Sequence, residues 1–68
     1  MFQVKLIEFD GSVYSHEILF VDGFEHLTNG RGIAKVNLPA GQYIFSVPKR
    51  VSVFSNVQEG QTLEIILP

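Results

Sequence analysis

The sequence predicts an all-β protein, a small antiparallel Greek-key β-sandwich of seven strands. Three observations carry that prediction. Turn signals recur at short intervals, at Asp10-Gly11, Asp22-Gly23, Asn29-Gly30, Ala40-Gly41, Pro48-Lys49 and Glu59-Gly60. The segments between them are short, rich in Val, Ile, Phe and Tyr, and mostly alternate apolar with polar residues, the pattern of half-buried strands. No window repeats apolar residues at helical spacing for long, because glycines interrupt every candidate. Short strands at regular spacing fit a sandwich better than any helical class.

The first strand is predicted over Phe2–Phe9. Phe2, Val4 and Leu6 share one face, with Gln3 and Lys5 on the other. Ile7 and Phe9 fall out of that phase, which predicts a β-bulge near Lys5–Ile7. The second strand, Val13–Val21, holds the continuous apolar run Ile18-Leu19-Phe20-Val21. Such a run predicts cover on both sides, with a loop or another subunit as the second cover. A third strand, Phe24–Leu27, follows the Asp22-Gly23 turn.

The segment Thr28–Pro48 is the most informative. Asn29-Gly30 suits a two-residue hairpin, since both residues tolerate the positive φ that such a turn demands. The fourth strand, Gly32–Leu38, then points Ala34, Val36 and Leu38 inward and Lys35 and Asn37 outward. Pro39 presets φ for the next turn, and Gly41 is expected in the left-handed conformation. Gln42–Val47 follows with Tyr43, Phe45 and Val47 inward and Ser46 outward. Val51–Asn56 turns Val51 and Val53 inward, and Gln61–Leu67 does the same with Leu63, Ile65 and Leu67.

Size bounds what this fold can do. The chain of 68 residues is one domain, 1–68, and its 46% hydrophobic content excludes disorder. Area scaling gives about 4,300 Å² of folded surface, at which burial and chain ordering nearly cancel. There is no cysteine to add a disulfide, and two histidines make a poor metal cage. Assembly, with its own copies or with other proteins, is the remaining means of stabilisation. No cofactor is expected. The net charge of −2 and the scatter of Lys5, Arg31, Lys35, Lys49 and Arg50 argue against nucleic acid, which needs a basic stripe. No segment reads as a signal peptide or a membrane span, so a soluble protein, cytoplasmic or in a virion, is expected.

Catalytic raw material is thin. His16 and Glu17 are neighbours on a predicted strand and point to opposite faces, as do Glu25 and His26. Together with Asp10 and Asp22 they show no accepted ligand spacing. No serine sits in a nucleophile elbow, so no enzyme is expected. Phe2, Val4, Leu6, Ile18, Phe20 and Ile66 are the candidate interface residues. Tyr14, Phe24, Asn29, Gly30 and Arg31 are the candidate loop-tip recognition residues. Lys49-Arg50 reads as a polar turn whose charges guard the following strand from edge pairing. Phe9, Tyr14, Phe20, Phe24 and Phe54 are either core or a sugar-binding platform, and without tryptophan the core explanation is stronger.

Ser12–Leu67 also resembles the carboxypeptidase regulatory-like, or transthyretin-like (prealbumin-like), β-sandwich family. Thr28-Asn29-Gly30-Arg31-Gly32 with Ile33-Ala34-Lys35-Val36 carries the first part of that resemblance. Leu38-Pro39-Ala40-Gly41-Gln42-Tyr43-Ile44-Phe45 carries the Leu-Pro-x-Gly-x-Tyr corner, and Val57-Gln58-Glu59-Gly60-Gln61-Thr62-Leu63 the closing strand. The chain departs from the family in its shorter first hairpin and in Asn29, where aspartate is common. The resemblance implies an immunoglobulin- or transthyretin-like sandwich, of a kind that braces, positions or binds rather than catalyses. The expected function is therefore a structural or interaction module, a small subunit of a larger assembly such as a virion accessory or decoration protein. A carbohydrate- or other ligand-binding accessory module, using loop tips and exposed aromatics, is the alternative.

Overall fold

Strand registers sort the chain into two open sheets. The computed structural model describes residues Met1–Pro68. It contains β1 (Phe2–Ile7), β2 (Ile18–Val21), β3 (Phe24–Leu27), β4 (Ile33–Val36), β5 (Gly41–Val47), β6 (Val51–Val57) and β7 (Thr62–Ile66). One sheet has the order β4-β1-β7 and the other β3-β2-β5-β6. Only β2–β3 and β5–β6 are hairpins, and every other connection passes from one sheet to the other. The chain is all-β with no helix, and so has none long and apolar enough to cross a membrane.

Alternation places the core. Phe2, Val4, Leu6, Ala34, Val36, Ile65 and Leu67 come from the three-stranded side, and Leu19, Val21, Phe45, Val47 and Val57 meet them from the other. The Phe2 ring lies 5.4 Å from Tyr43 and edge-on to Phe45 at 6.1 Å, a favoured aromatic geometry. The chain exposes 4224 Å², close to the area that its size predicts.

Several expectations are corrected. The sheets are not wholly antiparallel, because β1 and β7 pair in parallel, Gln3 opposite Thr62 through Ile7 opposite Ile66. Parallel neighbours need a long crossover, and here the rest of the chain supplies it. No bulge interrupts β1. Its register with β7 is regular to Ile7, and Ile7 simply points outward at the strand's end. Residues 13–17 are irregular, touching β1 only through the Ile7–Val13 bridge, so β2 begins at Ile18. Nor is β2 covered on both sides. Leu19 and Val21 are buried, whereas Ile18 and Phe20 are half-buried on the outer face.

The turns separate in the same way. Asp22 and Gly23, at φ 50° and 85°, form the two-residue turn of the β2–β3 hairpin. Asn29-Gly30 does not form one, because β3 and β4 lie in different sheets. Instead the Asn29 carboxamide oxygen accepts from the N–H groups of Arg31 (2.8 Å) and Ile33 (3.1 Å), and the left-handed residue is Gly32 at φ 75°. Gly32 has a further reason to be glycine, since a Cβ there would lie 2.8 Å from the Leu6 carbonyl oxygen and 3.0 Å from Val13 Cβ. Gly41 is not left-handed, and begins β5 with the Tyr43 ring beside it. The Tyr43 hydroxyl donates to the Pro39 carbonyl at 2.7 Å, closing the corner that the Leu-Pro-x-Gly-x-Tyr sequence announces.

Candidate interaction surfaces

The surface is built by the residues that alternation turns away from the core. On the three-stranded sheet, Gln3 lies between Lys35 and Thr62, and Lys5 lies between Ile33 and Glu64. The face closes with Ile7 beside Ile66, which is 69% exposed. Lysine, glutamate, glutamine and threonine dominate its middle, as water requires of a solvated sheet face.

The outer face of the four-stranded sheet is different. Ile18 pairs with Leu27, Phe20 with Glu25 and Ser46, and Ile44 with Phe54. Cross-strand partners share a face and diagonal neighbours lie within reach of aromatic side chains, so Leu27, Ile18, Phe20, Ile44 and Phe54 form one oblique apolar stripe. Leu27 is 63% exposed, Ile44 49% and Phe54 66%. The polar interruptions are neutral, apart from Glu25. Ser46 and Ser52 share a hydrogen bond of 2.8 Å, and Gln42 lies opposite Asn56.

The candidate interface residues therefore divide. Phe2, Val4 and Leu6 are removed from that role, because they are the inward face of β1 and retain between 0% and 2% exposure within their own chain. A run that looks surplus in the sequence is used up once a second sheet is laid over it. Ile18 and Phe20 lie on the apolar outer face, and Ile66 lies on the opposite side of the molecule. Leu27 and Ile44 had no flag in the sequence. The signal that finds them is parity, since Ile44 stands out of phase with Tyr43, Phe45 and Val47, as Phe54 does with Val51 and Val53.

The candidate loop-tip residues divide too. Asn29, Gly30 and Arg31 are exposed together, with the His16 ring packed over Gly30 and the His16 backbone N–H donating to the Asn29 carbonyl at 3.3 Å. Thr28, only 3% exposed, pins this end. Its hydroxyl donates to the Tyr14 carbonyl at 2.7 Å and accepts the Glu17 N–H at 3.0 Å. Tyr14 packs against the core, and burial raises its phenol above the ordinary value, so it is not a free recognition ring. Phe24 belongs to the far end of β3, about 10 Å from Leu27 at the usual rise per residue. It is 72% exposed, although its cross-strand partner Val21 is buried. Of the five aromatics considered for a sugar platform, only Phe20 and Phe54 share a face.

The ionisable groups serve local structure. Asp10 accepts from the Ser12 hydroxyl (2.7 Å) and N–H (2.9 Å), which hold its carboxyl below the usual range. Asp22 accepts the Ile44 N–H at 2.7 Å. Arg50 donates to both carboxylate oxygens of Glu8, at 2.7 and 3.2 Å, and to the Pro68 carbonyl at 3.1 Å. That hydrogen-bonded pair lowers the Glu8 carboxyl and raises the Arg50 guanidinium. Arg50 is thus engaged with Glu8, just past β1, and does not guard the edge of β6. The one concavity, about 350 Å³, is shallow and lies between Gln3, Lys35, Thr62 and the Glu59-Gly60 turn. Every buried side-chain polar atom has a hydrogen-bond partner, so the core itself presents no unpaired group to a ligand. Compared with known proteins, the chain matches no protein-family model and no curated sequence.

Proposed function

We propose that this chain is a non-catalytic interaction module, a small subunit that works by protein–protein contact through the outer face of its four-stranded sheet. The observation that carries the reading is the oblique stripe of Leu27, Ile18, Phe20, Ile44 and Phe54 on a face that would be polar if it met only water. Near-zero stability balance at this size adds a reason for the face to be covered. The transthyretin-like, Greek-key assignment belongs to the same proposal. Two sheets joined by repeated crossings, and a Tyr43 corner closed onto Pro39, support it.

The test is the size of the native complex. In an extract of its own cells, the wild-type chain should migrate well above its 7.6 kDa mass. Leu27→Glu combined with Ile44→Lys should migrate as the free chain. Its melting temperature as a dilute purified chain should match that of the dilute purified wild type, since neither side chain is core. A wild-type chain that migrates alone would sink the reading, as would a double variant that stays in the complex.

A further inference from the structure

The free edges of the two sheets are unequal. β3 is four residues long and carries Glu25 and His26, β4 is four residues with Lys35, and β7 is five residues with Glu64. β6 is seven residues, Val-Ser-Val-Phe-Ser-Asn-Val, with no charge and no proline. Its register with β5 is unbroken from Val47 opposite Val51 to Gly41 opposite Val57, so no bulge twists the edge away. Sheet proteins normally protect such an edge with a charge, a proline, a bulge or a cover. Here β5 is its only hydrogen-bonded neighbour. Of the two cations in the turn before it, Arg50 is tied to Glu8 and Lys49 lies outside the strand.

The backbone shows which groups wait on that edge. Ile44 directs both its C=O and its N–H toward Asp22, on the β2 side of β5. Backbone groups alternate along an antiparallel strand, so Tyr43 and Phe45 face β6, and their partners Ser55 and Val53 face back. Ser52, Phe54 and Asn56 therefore point their N–H and C=O outward. Of these groups only the Asn56 carbonyl meets a side chain, the Ser55 hydroxyl at 3.2 Å, and a carbonyl can accept a second hydrogen.

We infer that β6 pairs antiparallel with β6 of a second copy of this chain about a twofold axis at Phe54, an inference that rests on the contact reading above. In that register Phe54 exchanges hydrogen bonds with its own counterpart. Ser52 exchanges them with Asn56 of the second copy, and Asn56 with Ser52. Every outward donor then meets an outward acceptor, whereas a one-residue slip of the register would set them against groups that face β5. Moving the axis by a whole residue would leave Asn56 opposite Arg50 or Ser52 opposite Gln58, beyond the ends of β6. The side chains agree with the pairing. On the outer face Phe54 packs on Phe54, prolonging the apolar stripe across the axis, and on the inner face Val53 meets Ser55 and Val51 meets Val57. The contact is isologous and closes on itself, so it yields a dimer rather than a fibre.

Solution mass by light scattering, with engineered cysteines in a chain that has none of its own, tests this. An edge contact is smaller than a standard interface, so half-association is expected at roughly 10–100 µM. Ser52→Pro removes an outward N–H and the exposed Ser46–Ser52 hydroxyl bond, and leaves the backbone ladder to β5 and the apolar residues of the face in place. It should weaken association by at least about tenfold. Under glutathione oxidation Phe54→Cys should form a disulfide dimer, because directly opposed residues stand about 5.5 Å apart. Ser52→Cys should not, its counterpart lying about 14 Å along the strand. A wild-type monomer at about 1 mM would overturn the inference, and so would Ser52→Pro dimers of unchanged strength or equal cross-linking by the two cysteines. Loss of the native complex in Leu27→Glu/Ile44→Lys, with Ser52→Pro without effect, would leave the contact reading standing and sink the edge alone.

Discussion

The two outer faces of this molecule are made by the same rule and reach opposite results. Each is the set of residues that alternation turns away from one shared core. On the three-stranded side that set is Gln3, Lys5, Lys35, Thr62 and Glu64, with lysine and glutamate opposed across β1 and β7 and three isoleucines, Ile7, Ile33 and Ile66, toward one end. On the four-stranded side it is Ile18, Phe20, Leu27, Ile44 and Phe54, with serines and amides between. The first face is finished by water. The second is not, and it borders the one long edge that carries no charge. Composition averaged over a chain hides where its surplus lies, because the outward aromatic residues sit on one sheet.

The largest expected effect separates the apolar residues that the lone chain needs from those it does not. Leu6→Ala should cost about 2–5 kcal/mol of unfolding free energy, as deletion in a close-packed core does. Phe54→Ala, of larger side chain but 66% exposed, should cost under about 1 kcal/mol in a dilute monomer. Denaturant unfolding of both variants at low concentration measures the contrast. Equal losses would mean that the outer face is part of the fold and not a surface for something else.

A second contrast concerns glycine. Gly32 and Gly23 both have positive φ, at 75° and 85°. At Gly23 a Cβ meets nothing within 4 Å, so Gly23→Ala should cost only the left-handed strain of about 1–2 kcal/mol. Gly32→Ala adds a clash with the Leu6 carbonyl and should cost about 2–4 kcal/mol. Thermal melts of the pair would show whether the Gly32 approach to β1 is as close as the structure has it, since equal shifts would deny the clash.

The smallest effect is electrostatic. Arg50 follows β5 and Glu8 follows β1, so their ion pair clasps one sheet to the other. The Glu8 carboxyl lies below its ordinary value of 4.5. A depressed carboxylate stabilises the fold above that value, and its contribution fades as pH falls through the lowered one. Asp10 shifts in the same direction. The melting temperature should therefore drop as pH falls below about 4, and Glu8→Gln should flatten part of that drop. The change should be slight, because both groups meet water. An identical acid profile in the variant would show that the clasp is only geometric.

How much of this could be read beforehand depended on the range of the interaction. The Asp22-Gly23 turn, the Tyr43 corner and the inward sets of β4, β5 and β7 follow from residues a few positions apart, and those readings hold. Asn29-Gly30 was misleading for a physical reason. A two-residue hairpin requires its flanking strands to pair, and β3 and β4 do not. A bulge near Ile7 is what parity predicts when it is extended past the end of the strand. Phe2, Val4 and Leu6 seemed available for a partner only because the sheet that covers them is assembled from segments far away in the sequence. The candidate surface was half legible. Ile18 and Phe20 could be found in an uninterrupted apolar run, whereas Leu27, Ile44 and Phe54 acquire meaning as a group only through cross-strand registers.

By itself the sequence determined that this is an all-β chain of seven short strands, where most of them begin and end, and which side of most of them is apolar. Those properties come from backbone conformational preference and from a side-chain period of two, both local. Tertiary structure alone decided that β1 and β7 run parallel, that the core consumes the first strand's apolar face, and that β6 is left at an edge. Those outcomes depend on which strands become neighbours. Neighbourhood is settled by burying one common core, a condition that no single segment can meet on its own.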